Sequence, residues 1–487
     1  MSGVDKITLD KYRSRGYSED LLPKPECNRN WKAVNYFTLW QGSVHNVPNY
    51  VAVGGFFLLG LSTFNIMAAI LISGIVIAFI MIMNGAAGSK YGIPFSMLLR
   101  ASYGVRGAIL PGFLRGCIAA IMWFGLQNYA GSLALLIIIS KIWPEFINIG
   151  GDWNFLGINA PGLISFIIFW FINMVIGLGG GSILNKFTAI LNPCIYLVFG
   201  GMAIWAISLV GLDAIFSYVP SKIQSEDAGI FQFLIVVNAI VAVWAAPAVS
   251  ASDFTQNAKS MRDQATGQLA GLFIAYVLFA FSSVCVLAGA SIHFGTDTWN
   301  VLDIISRWDS LFVTIFAGLV VLMTTISTNA TGNIIPAGYQ IVSIFPKLSY
   351  KQGVMIAGVI SLIICPWKLM ENQDSIFLFL NTIGGILGPV IGVMLAHYYI
   401  VLKQNINLDE LYVEGNNYVY YKGGINSTAF VVTLIACILS LGGQYLSFLS
   451  VFNQLSWFTG VITAFALYVF MMKRNAENRK DLTLASN

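Results

Sequence analysis

The sequence predicts an all-α integral membrane protein with twelve transmembrane helices. Of the 487 residues, 57% are hydrophobic and only 10% are charged, whereas soluble domains carry about 25% charged residues. Apolar runs long enough to cross a hydrocarbon core of roughly 30 Å occur twelve times along the chain. We number them spans 1 to 12, at residues 35–59, 64–84, 113–140, 160–177, 187–211, 229–250, 267–291, 311–336, 353–366, 375–400, 427–447 and 451–472.

The positions of the basic residues predict the orientation of these spans. All but four of the 26 Lys and Arg residues fall on the side of the two termini. The exceptions are Lys141, Lys222, Arg307 and Lys368. Because Lys and Arg are retained on the cytoplasmic side, residues 1–34 and 473–487 are predicted to be cytoplasmic tails. The formal net charge of +4 therefore reflects topology, and no nucleic-acid partner is expected.

Two of the spans contain a stretch that interrupts a regular helix. Span 1 is interrupted between Gly42 and Pro48, and span 6 between Trp244 and Pro247. In lipid, unwound backbone persists only where it is buried in protein or lines a cavity. Paired interruptions in corresponding spans indicate the midplane site of a secondary transporter.

The interruptions in spans 1 and 6 predict two repeats of five spans each. Residues 35–211 hold spans 1 to 5, residues 229–400 hold spans 6 to 10, and residues 427–472 add spans 11 and 12. Because five is odd, the second repeat enters the membrane from the opposite side, so the two repeats have inverted topology. Such repeats permit alternating access around a fixed site. The chain has no Walker-type phosphate loop, so a gradient and not ATP hydrolysis is expected to drive the process.

An aromatic ring and an amide lie on one face of span 3. Trp123 and Gln127 are four residues apart, which places them on the same side of a helix. The ring could stack on a flat heterocycle while the amide supplies a donor and an acceptor. Trp244, at the interruption in span 6, offers a second ring for the opposite face of such a ligand. The alternative is that both tryptophans only fill the core.

Span 8 is rich in hydroxyl and amide groups, which are costly in lipid unless they face a cavity or a partner helix. Thr324 lies one turn before Ser327 and Thr328, so its carbonyl oxygen and their two hydroxyls can converge. With the carbonyl oxygens of Gly42 and His45, freed by the break, they would form a five-oxygen site for a small hard cation such as Na+. The alternative is hydrogen bonding between helices.

Asparagine residues supply further candidate ligands for a polar substrate. Asn333 lies about 140° around a straight helix from Thr328; Asn329 shares its face, and Asn46 lies in the first break. No Asp or Glu lies well inside any predicted span, and such acids are the usual proton relays. Coupling to Na+ is therefore favoured over H+, with His45 as the candidate proton carrier in the break.

Four motifs follow one another along the chain in a recognisable order and spacing. They are Leu39-Trp40-Gln-Gly42-Ser-Val-His45-Asn46-Val-Pro48, Lys90-Tyr-Gly92-Ile-Pro94-Phe95, Trp123-Phe-Gly125-Leu-Gln127 and Ser327-Thr328-Asn329-Ala-Thr-Gly-Asn333. This combination resembles the nucleobase–cation symporter family over nearly the whole chain. Within that family, the sequence is most similar to the bacterial hydantoin and allantoin permease branch.

The resemblance implies a bundle of spans 1, 2, 6 and 7 that moves against a scaffold. It implies that a substrate stacks between Trp123 and Trp244. It further implies hydrogen bonds to that substrate from Gln127, Asn333 and Asn46, and a cation at the five oxygens described above.

Two positions of the candidate pocket depart from members of the family. Val243 precedes Trp244 where members often carry Gly, so the wall of the pocket is predicted to be narrower. Asn46 stands where the hydantoin-type member has Gln. The sequence His45-Asn46-Val-Pro48 is more similar to the allantoin permeases.

These observations lead to one expectation and several alternatives. We expect a symporter of the bacterial cytoplasmic membrane that imports a planar ureido heterocycle, allantoin first, with Na+ or H+ and without an organic cofactor. A hydantoin, or a nucleobase such as cytosine or uracil, is the alternative cargo. The broken helices disfavour a passive channel or facilitator, and the lack of a nucleophile–base pair at depth disfavours an enzyme. The expected partners are the small-molecule substrate and the lipid bilayer, and the oligomeric state is left open.

Overall fold

The computed structural model describes residues 6–179, 181–220, 229–297, 300–345, 347–413 and 421–485. Lys222, one of the four basic residues predicted on the far side, lies outside the described residues. Helices dominate this part of the chain, as the composition predicts. One short antiparallel hairpin, Asn154–Phe155 with Ile158–Asn159, lies between spans 3 and 4.

Eight helices of the described residues are long and apolar enough to cross a membrane. They are Thr63–Tyr91, Ile109–Ile142, Ala160–Gly179, Leu191–Val210, Met261–Phe294, Leu311–Ile344, Asp374–Val401 and Ser456–Arg474. They coincide with predicted spans 2, 3, 4, 5, 7, 8, 10 and 12, although span 12 begins at Ser456 and not at 451. The number is nine if the bent pair Ser427–Gly442 and Ser447–Gln454 is one span. The prediction of a multi-pass helical membrane protein is confirmed.

The other four predicted spans are shorter helices. Span 9 is Tyr350–Ile363, of 14 residues, and span 11 is Ser427–Gly442, of 16 residues. Spans 1 and 6 are each divided into pieces at the predicted interruptions. Their pieces are short because the helix breaks and not because the segment lacks apolar residues.

Span 1 consists of two helices, Ala33–Val44 and Val47–Phe56. Between them, His45 (φ −87°, ψ 80°) and Asn46 (φ −132°, ψ 157°) leave the helical region. The backbone N–H of Asn46 donates to the carbonyl of Val44 at 3.1 Å, whereas a continued helix would use the carbonyl four residues earlier. The interruption predicted in span 1 is confirmed, and it frees backbone oxygen atoms inside the protein.

Span 6 is interrupted first at Trp244 and then at Ser250. Ile230–Val243 ends at Trp244 (φ −92°, ψ 2°), and Ala245–Val249 ends at Ser250 (φ −97°, ψ 25°). A last short helix, Ala251–Thr255, follows. The first interruption is confirmed, whereas the sequence did not predict the second.

The extra helical turn carries span 6 past its predicted end at residue 250 and adds an acidic residue to it. Asp253 lies in this turn, and its Oδ1 accepts a hydrogen bond from the backbone N–H of Phe95 at 2.7 Å. The expectation of acid-free spans therefore holds for the predicted bounds, but the helices extend beyond those bounds and include Asp253 in span 6, Asp263 in span 7 and Asp374 in span 10.

Helical periodicity does not reveal three π-helical turns. They are Leu114–Ala119 in span 3, Ala330–Ile334 in span 8 and Ala396–Val401 in span 10. A π turn inserts an extra residue, which rotates the side chains that follow, and such turns are frequent at functional sites. The angle predicted between Thr328 and Asn333 on a straight helix is therefore wrong, because the π turn lies between them.

The amino-terminal segment, predicted as a cytoplasmic tail, folds against the connection after span 10. Its helix Lys6–Ser14 places Lys11 Nζ 2.8 Å from Asp409 Oδ1, and this hydrogen bond lowers the pKa of the Asp409 carboxyl. The Tyr12 ring stacks on Tyr412 with the ring centroids 4.2 Å apart. The segment belongs to the folded structure because its polar and aromatic side chains find partners on this connection.

Small residues allow span 2 to pack closely on the second half of span 6, as is common between membrane helices. A β-carbon at Gly88 would lie 2.8 Å from the Ser252 Cα and would overlap the Thr255 hydroxyl. We therefore expect Gly88→Ala to destabilise the protein by about 1–3 kcal/mol through overpacking. Thermal unfolding of the purified protein measures this loss. The control is Gly200→Ala, because no atom of the described residues lies within 4 Å of a β-carbon at Gly200. Equal stability of the two variants would contradict the packing argument.

Candidate substrate and cation site

A single cavity lies where the broken spans 1 and 6 face spans 3 and 8. The space between its walls measures about 520 Å³, part of which is open to the outside. All six residues predicted at the substrate site line it. They are Asn46, Trp123, Gln127, Val243, Trp244 and Asn333.

Span 3 contributes Trp123 and Gln127 to one wall, as their spacing predicts. The Trp123 ring packs edge-on against Phe379 at a centroid distance of 4.8 Å, and its indole N–H has no partner among the described residues. Gln127 is 2% exposed, and its side-chain oxygen is likewise buried without a donor. Buried polar atoms without partners cost free energy, so both atoms are suited to bonding a ligand.

Span 6 contributes Trp244, but the ring that contacts it is one the sequence reasoning did not select. Trp40 of span 1 packs edge-on against Trp244 at 5.3 Å, and Phe254 packs on Trp40 at 5.2 Å. Trp123 has a different ring neighbour, Phe379. Trp40 and Phe254 therefore join the predicted pair among the aromatic residues that line the cavity.

The π turn of span 8 directs Asn333 into the cavity. The Asn333 amide nitrogen donates to the Asn329 side-chain oxygen at 2.9 Å, which leaves the Asn333 oxygen for another partner. Asn329 itself is fully buried and donates toward the Phe124 carbonyl at 3.3 Å and the Asn128 side chain at 3.4 Å. It therefore supports Asn333, whereas the sequence reasoning proposed that Asn329 could also reach a ligand.

Asn46 has a structural task besides lining the cavity. Its side-chain oxygen accepts from the backbone N–H of Asn49 at 3.2 Å, and its amide nitrogen donates to the Ser43 carbonyl at 2.9 Å. It thus caps the second half of span 1, which is a preferred use of Asn. One N–H and one lone pair of the amide are left for a ligand. Val243, the last residue before the break in span 6, forms part of the wall beside it.

Four of the five residues predicted at the cation site meet where span 1 breaks against span 8. The Thr328 hydroxyl lies 2.9 Å from the Thr324 carbonyl and 3.4 Å from the Gly42 carbonyl. A β-carbon at Gly42 would lie 3.8 Å from the Ser327 hydroxyl. Carbonyl and hydroxyl oxygens of this kind suit a small hard cation.

We call the oxygens of Gly42, Thr324, Ser327 and Thr328 the cradle. His45 lies in the helix break beside it, and its side chain packs among aromatic residues. Its imidazole Nδ1 lies 3.2 Å from the Tyr50 hydroxyl, and the ring lies 4.9 Å from Phe199 and 5.9 Å from Phe279. The side chain of His45 therefore packs in the core. The backbone of His45 leaves the helix, as a role for its carbonyl oxygen requires.

A sixth oxygen near the cradle was not selected from the sequence. Asn192 of span 5 donates from its amide nitrogen to the Thr38 carbonyl at 3.1 Å. Its side-chain oxygen is buried, has no donor in the described part of the chain, and would lie 4.0 Å from a β-carbon at Gly42. No local pattern could reveal this, because Asn192 approaches the cradle only through the crossing of spans 1 and 5.

Two further cavity residues, Trp40 and Phe254, were not predicted, and only the first could have been identified from the sequence. Trp40 lies within the first motif, one turn before Ser43, which also lines the cavity. Its position on the face of the break could have identified it. Phe254 follows two interruptions of span 6, so no helical period connects it to Trp244.

Broken helices that open onto a cavity inside the bilayer are the architecture of secondary transporters, and this chain is of that class. Residues 23–463 match the sequence model described as "Permease for cytosine/purines, uracil, thiamine, allantoin". The chain belongs to this permease family, as its motifs predict.

The similarity to individual relatives extends over most of the chain. It is 68% identical over 469 residues to the "Putative allantoin permease" of Escherichia coli (strain K12), covering 96% of this chain and 97% of that protein. It is 40% identical over 458 residues to the "Allantoin permease" of Bacillus subtilis (strain 168), covering 94% and 93%.

The fold is similar to a solved structure of the same class. Mhp1, a nucleobase-cation-symport-1 family transporter in a closed conformation with bromovinylhydantoin bound, superposes with a TM-score of 0.74. The identity is 23%, and the match covers 95% of this chain and 96% of that chain. The fold is thus that of an all-helical multi-pass transporter. Family membership makes the protein a cation-coupled permease and not an enzyme, as the sequence predicts.

Proposed function

We propose that this permease imports allantoin, a flat ureido heterocycle, into a bacterial cell together with Na+. The observation that carries the proposal is the cavity in which three tryptophan rings and three amide side chains meet at the paired helix breaks. The two relatives with the substrate in their names support the choice of allantoin over other cargo of the family.

In this proposal, the substrate ring stacks on Trp123 on one side and on the Trp244–Trp40 pair on the other. Its N–H groups donate to the buried oxygen of Gln127 and to the free oxygen of Asn333. A ureido heterocycle offers several N–H groups and carbonyl oxygens around a small ring, which matches acceptors and indole N–H donors that lack partners among the described residues. Val243 limits the space beside the ring.

We also propose the topology that the sequence predicts. Spans 1, 6, 9 and 11 cross the membrane in addition to the eight long helices, which makes twelve crossings in two inverted repeats of five plus two. Both termini lie in the cytoplasm, because nearly all the Lys and Arg residues then lie inside.

The coupling ion in this proposal is Na+, held by oxygens of Gly42, His45, Thr324, Ser327 and Thr328 with Asn192 at the side. One positive charge that enters with a neutral solute at about −100 mV supplies about 2.3 kcal/mol. This corresponds to roughly fiftyfold accumulation at about 1.4 kcal/mol per decade. The cation would join span 1 to span 8, so its binding would favour the arrangement in which the cavity is complete.

Uptake of labelled allantoin by proteoliposomes with an inward Na+ gradient tests the function. We expect saturable accumulation above the external concentration, which a passive facilitator or channel cannot produce. Competition by hydantoin, cytosine and uracil, followed by quenching of the tryptophan fluorescence, ranks the alternative cargo. Binding of cytosine without any binding of allantoin would refute the substrate assignment.

A further inference from the structure

Arg115 inserts a guanidinium between the helix break of span 6 and the π turn of span 8. It lies in the π turn of span 3 and is 1% exposed. Its Nε donates to the Ala246 carbonyl at 2.6 Å and to the Ser250 hydroxyl at 3.1 Å. Its Nη2 donates to the Gly332 carbonyl at 3.1 Å. Ala246 and Gly332 both line the substrate cavity, so Arg115 lies directly behind its wall.

The guanidinium of Arg115 donates to backbone and hydroxyl oxygens, and the carboxylate of Asp253 in span 6 lies near enough to attract its charge. No ion pair of the described residues includes Arg115, and its Nη1 is buried without a partner in this part of the chain. A buried charge is costly unless it is compensated by hydrogen bonds and opposite charge. The carbonyl groups of Ala246 in span 6 and Gly332 in span 8 offset the cost of burying this charge. They do so only while both helices keep these positions.

The two helices that Arg115 connects belong to different groups of the structure. The second half of span 6 is held by span 2, because the Asn84 amide donates to the carbonyls of Ala248 and Val249 at 2.6 and 2.8 Å. Span 8 is held by span 3, because Asn329 donates to the Phe124 carbonyl. The bonds from Arg115 to Ala246 and Ser250 therefore run between these two groups.

We propose that Arg115 is a positioning residue for transport that holds the cavity closed on the side where span 3 begins. Gly332 fixes the guanidinium on the scaffold side, and the bonds to Ala246 and Ser250 fasten span 6 to it. When the cavity opens toward that side, these two bonds break while the bond to Gly332 is kept. The proposal rests on the transport role of the chain and not on the identity of the substrate or of the cation.

The test follows the accessibility of a cysteine inside the cavity. The reporter is Thr331→Cys, which lines the cavity, in a protein whose six cysteines are replaced by alanine. A membrane-impermeant maleimide is applied to right-side-out and to inside-out vesicles. We expect Arg115→Gln to raise the alkylation rate at least about tenfold from the side where span 3 begins and not from the other side. Arg115→Lys keeps the charge but loses the several N–H donors of the planar guanidinium, so its alkylation rate should lie between those of the unsubstituted protein and Arg115→Gln.

Ser250→Ala keeps the test valid if the arginine variant does not fold, because it removes one bond and leaves the guanidinium in place. We expect a rise of about threefold in the same direction. The alkylation rate of the double variant Arg115→Gln, Ser250→Ala should not exceed that of Arg115→Gln alone, because both changes break the same connection between Arg115 and span 6. Arg262→Gln, at an exposed arginine, is the control.

Three results would overturn the proposal. The first is an unchanged labelling rate in folded Arg115→Gln protein, even if transport is lost. The second is a double variant whose rate equals the product of the two single effects. The third is an equal rise in the Arg262→Gln control. None of these results depends on which substrate is carried, so they do not contradict the proposed function. Failure of allantoin uptake, in turn, would not contradict the proposed role of Arg115.

Discussion

Replacing Gln127 by alanine is expected to abolish saturable uptake of allantoin while the protein remains inserted in the membrane. The buried oxygen of Gln127 has no partner within the described protein, so a substrate N–H is the partner for which it is placed. Loss of one such hydrogen bond weakens binding by about 0.5–1.5 kcal/mol, up to roughly tenfold. Loss of the correct orientation between the rings reduces transport further. Fluorescence titration and uptake measure the two effects separately.

Asn333→Ala is expected to have an effect of the same size, because it removes a cavity oxygen and also leaves the Asn329 oxygen without its donor. The matched control is Asn173→Ala. Asn173 lies in the same buried asparagine group, 3.5 Å from the Asn329 amide nitrogen. It is not among the residues that line the cavity. Normal allantoin uptake by both Gln127→Ala and Asn333→Ala would refute the proposed substrate site. An equal loss of uptake in Asn173→Ala would show that the effect of Asn333→Ala comes from disturbed packing.

Thr328→Val is expected to raise the Na+ concentration needed for half-maximal allantoin binding by at least about tenfold. The substitution keeps the shape of the side chain and removes the hydroxyl that lies between the carbonyls of Thr324 and Gly42. Because coupling between two ligands is reciprocal, the same variant should show a smaller effect of Na+ on the affinity for allantoin. Titration of tryptophan fluorescence with allantoin at several Na+ concentrations, with choline as replacement, gives both numbers.

Thr325→Val is the control for the cation site. Thr325 is adjacent to Thr324, is fully buried, and donates to the Val321 carbonyl at 2.8 Å, so it tests the loss of a hydroxyl outside the cradle. Undiminished uptake in Na+-free buffer, driven by an imposed proton gradient, would refute the sodium site. Attention would then turn to His45, hydrogen-bonded to Tyr50, and to Asp253 at the end of span 6.

The sequence revealed the residues of the site through local patterns. The spacing of Trp123 and Gln127 placed them on one helical face, and no interruption lies between them, so the inference survived folding. Gly42 and Pro48 around Asn46, and Pro247 after Trp244, indicated the two breaks, because such residues act on the backbone at their own position. The five cation-site candidates were found in the same way, from two short segments.

Other features depend on how helices cross, and the sequence does not contain that information in any local form. The π turn before Asn333 rotates the side chains that follow, so counting along a straight helix misplaced the angle to Thr328. Phe254 is separated from Trp244 by a second break, which destroys the period that would relate them. Asn192 reaches the cradle only because span 5 crosses span 1 at Gly42.

The sequence by itself determined that this chain is a helical membrane protein with two paired helix breaks, and it determined which amides, rings and hydroxyls are available there. These properties follow from hydrophobic run length and from residues that act on their own backbone. Only the tertiary structure decided that six of those side chains share one cavity with Trp40. It also decided that Arg115 fastens span 6 to span 8 behind it. Both outcomes depend on contacts between residues far apart in the chain, which helical periodicity does not specify.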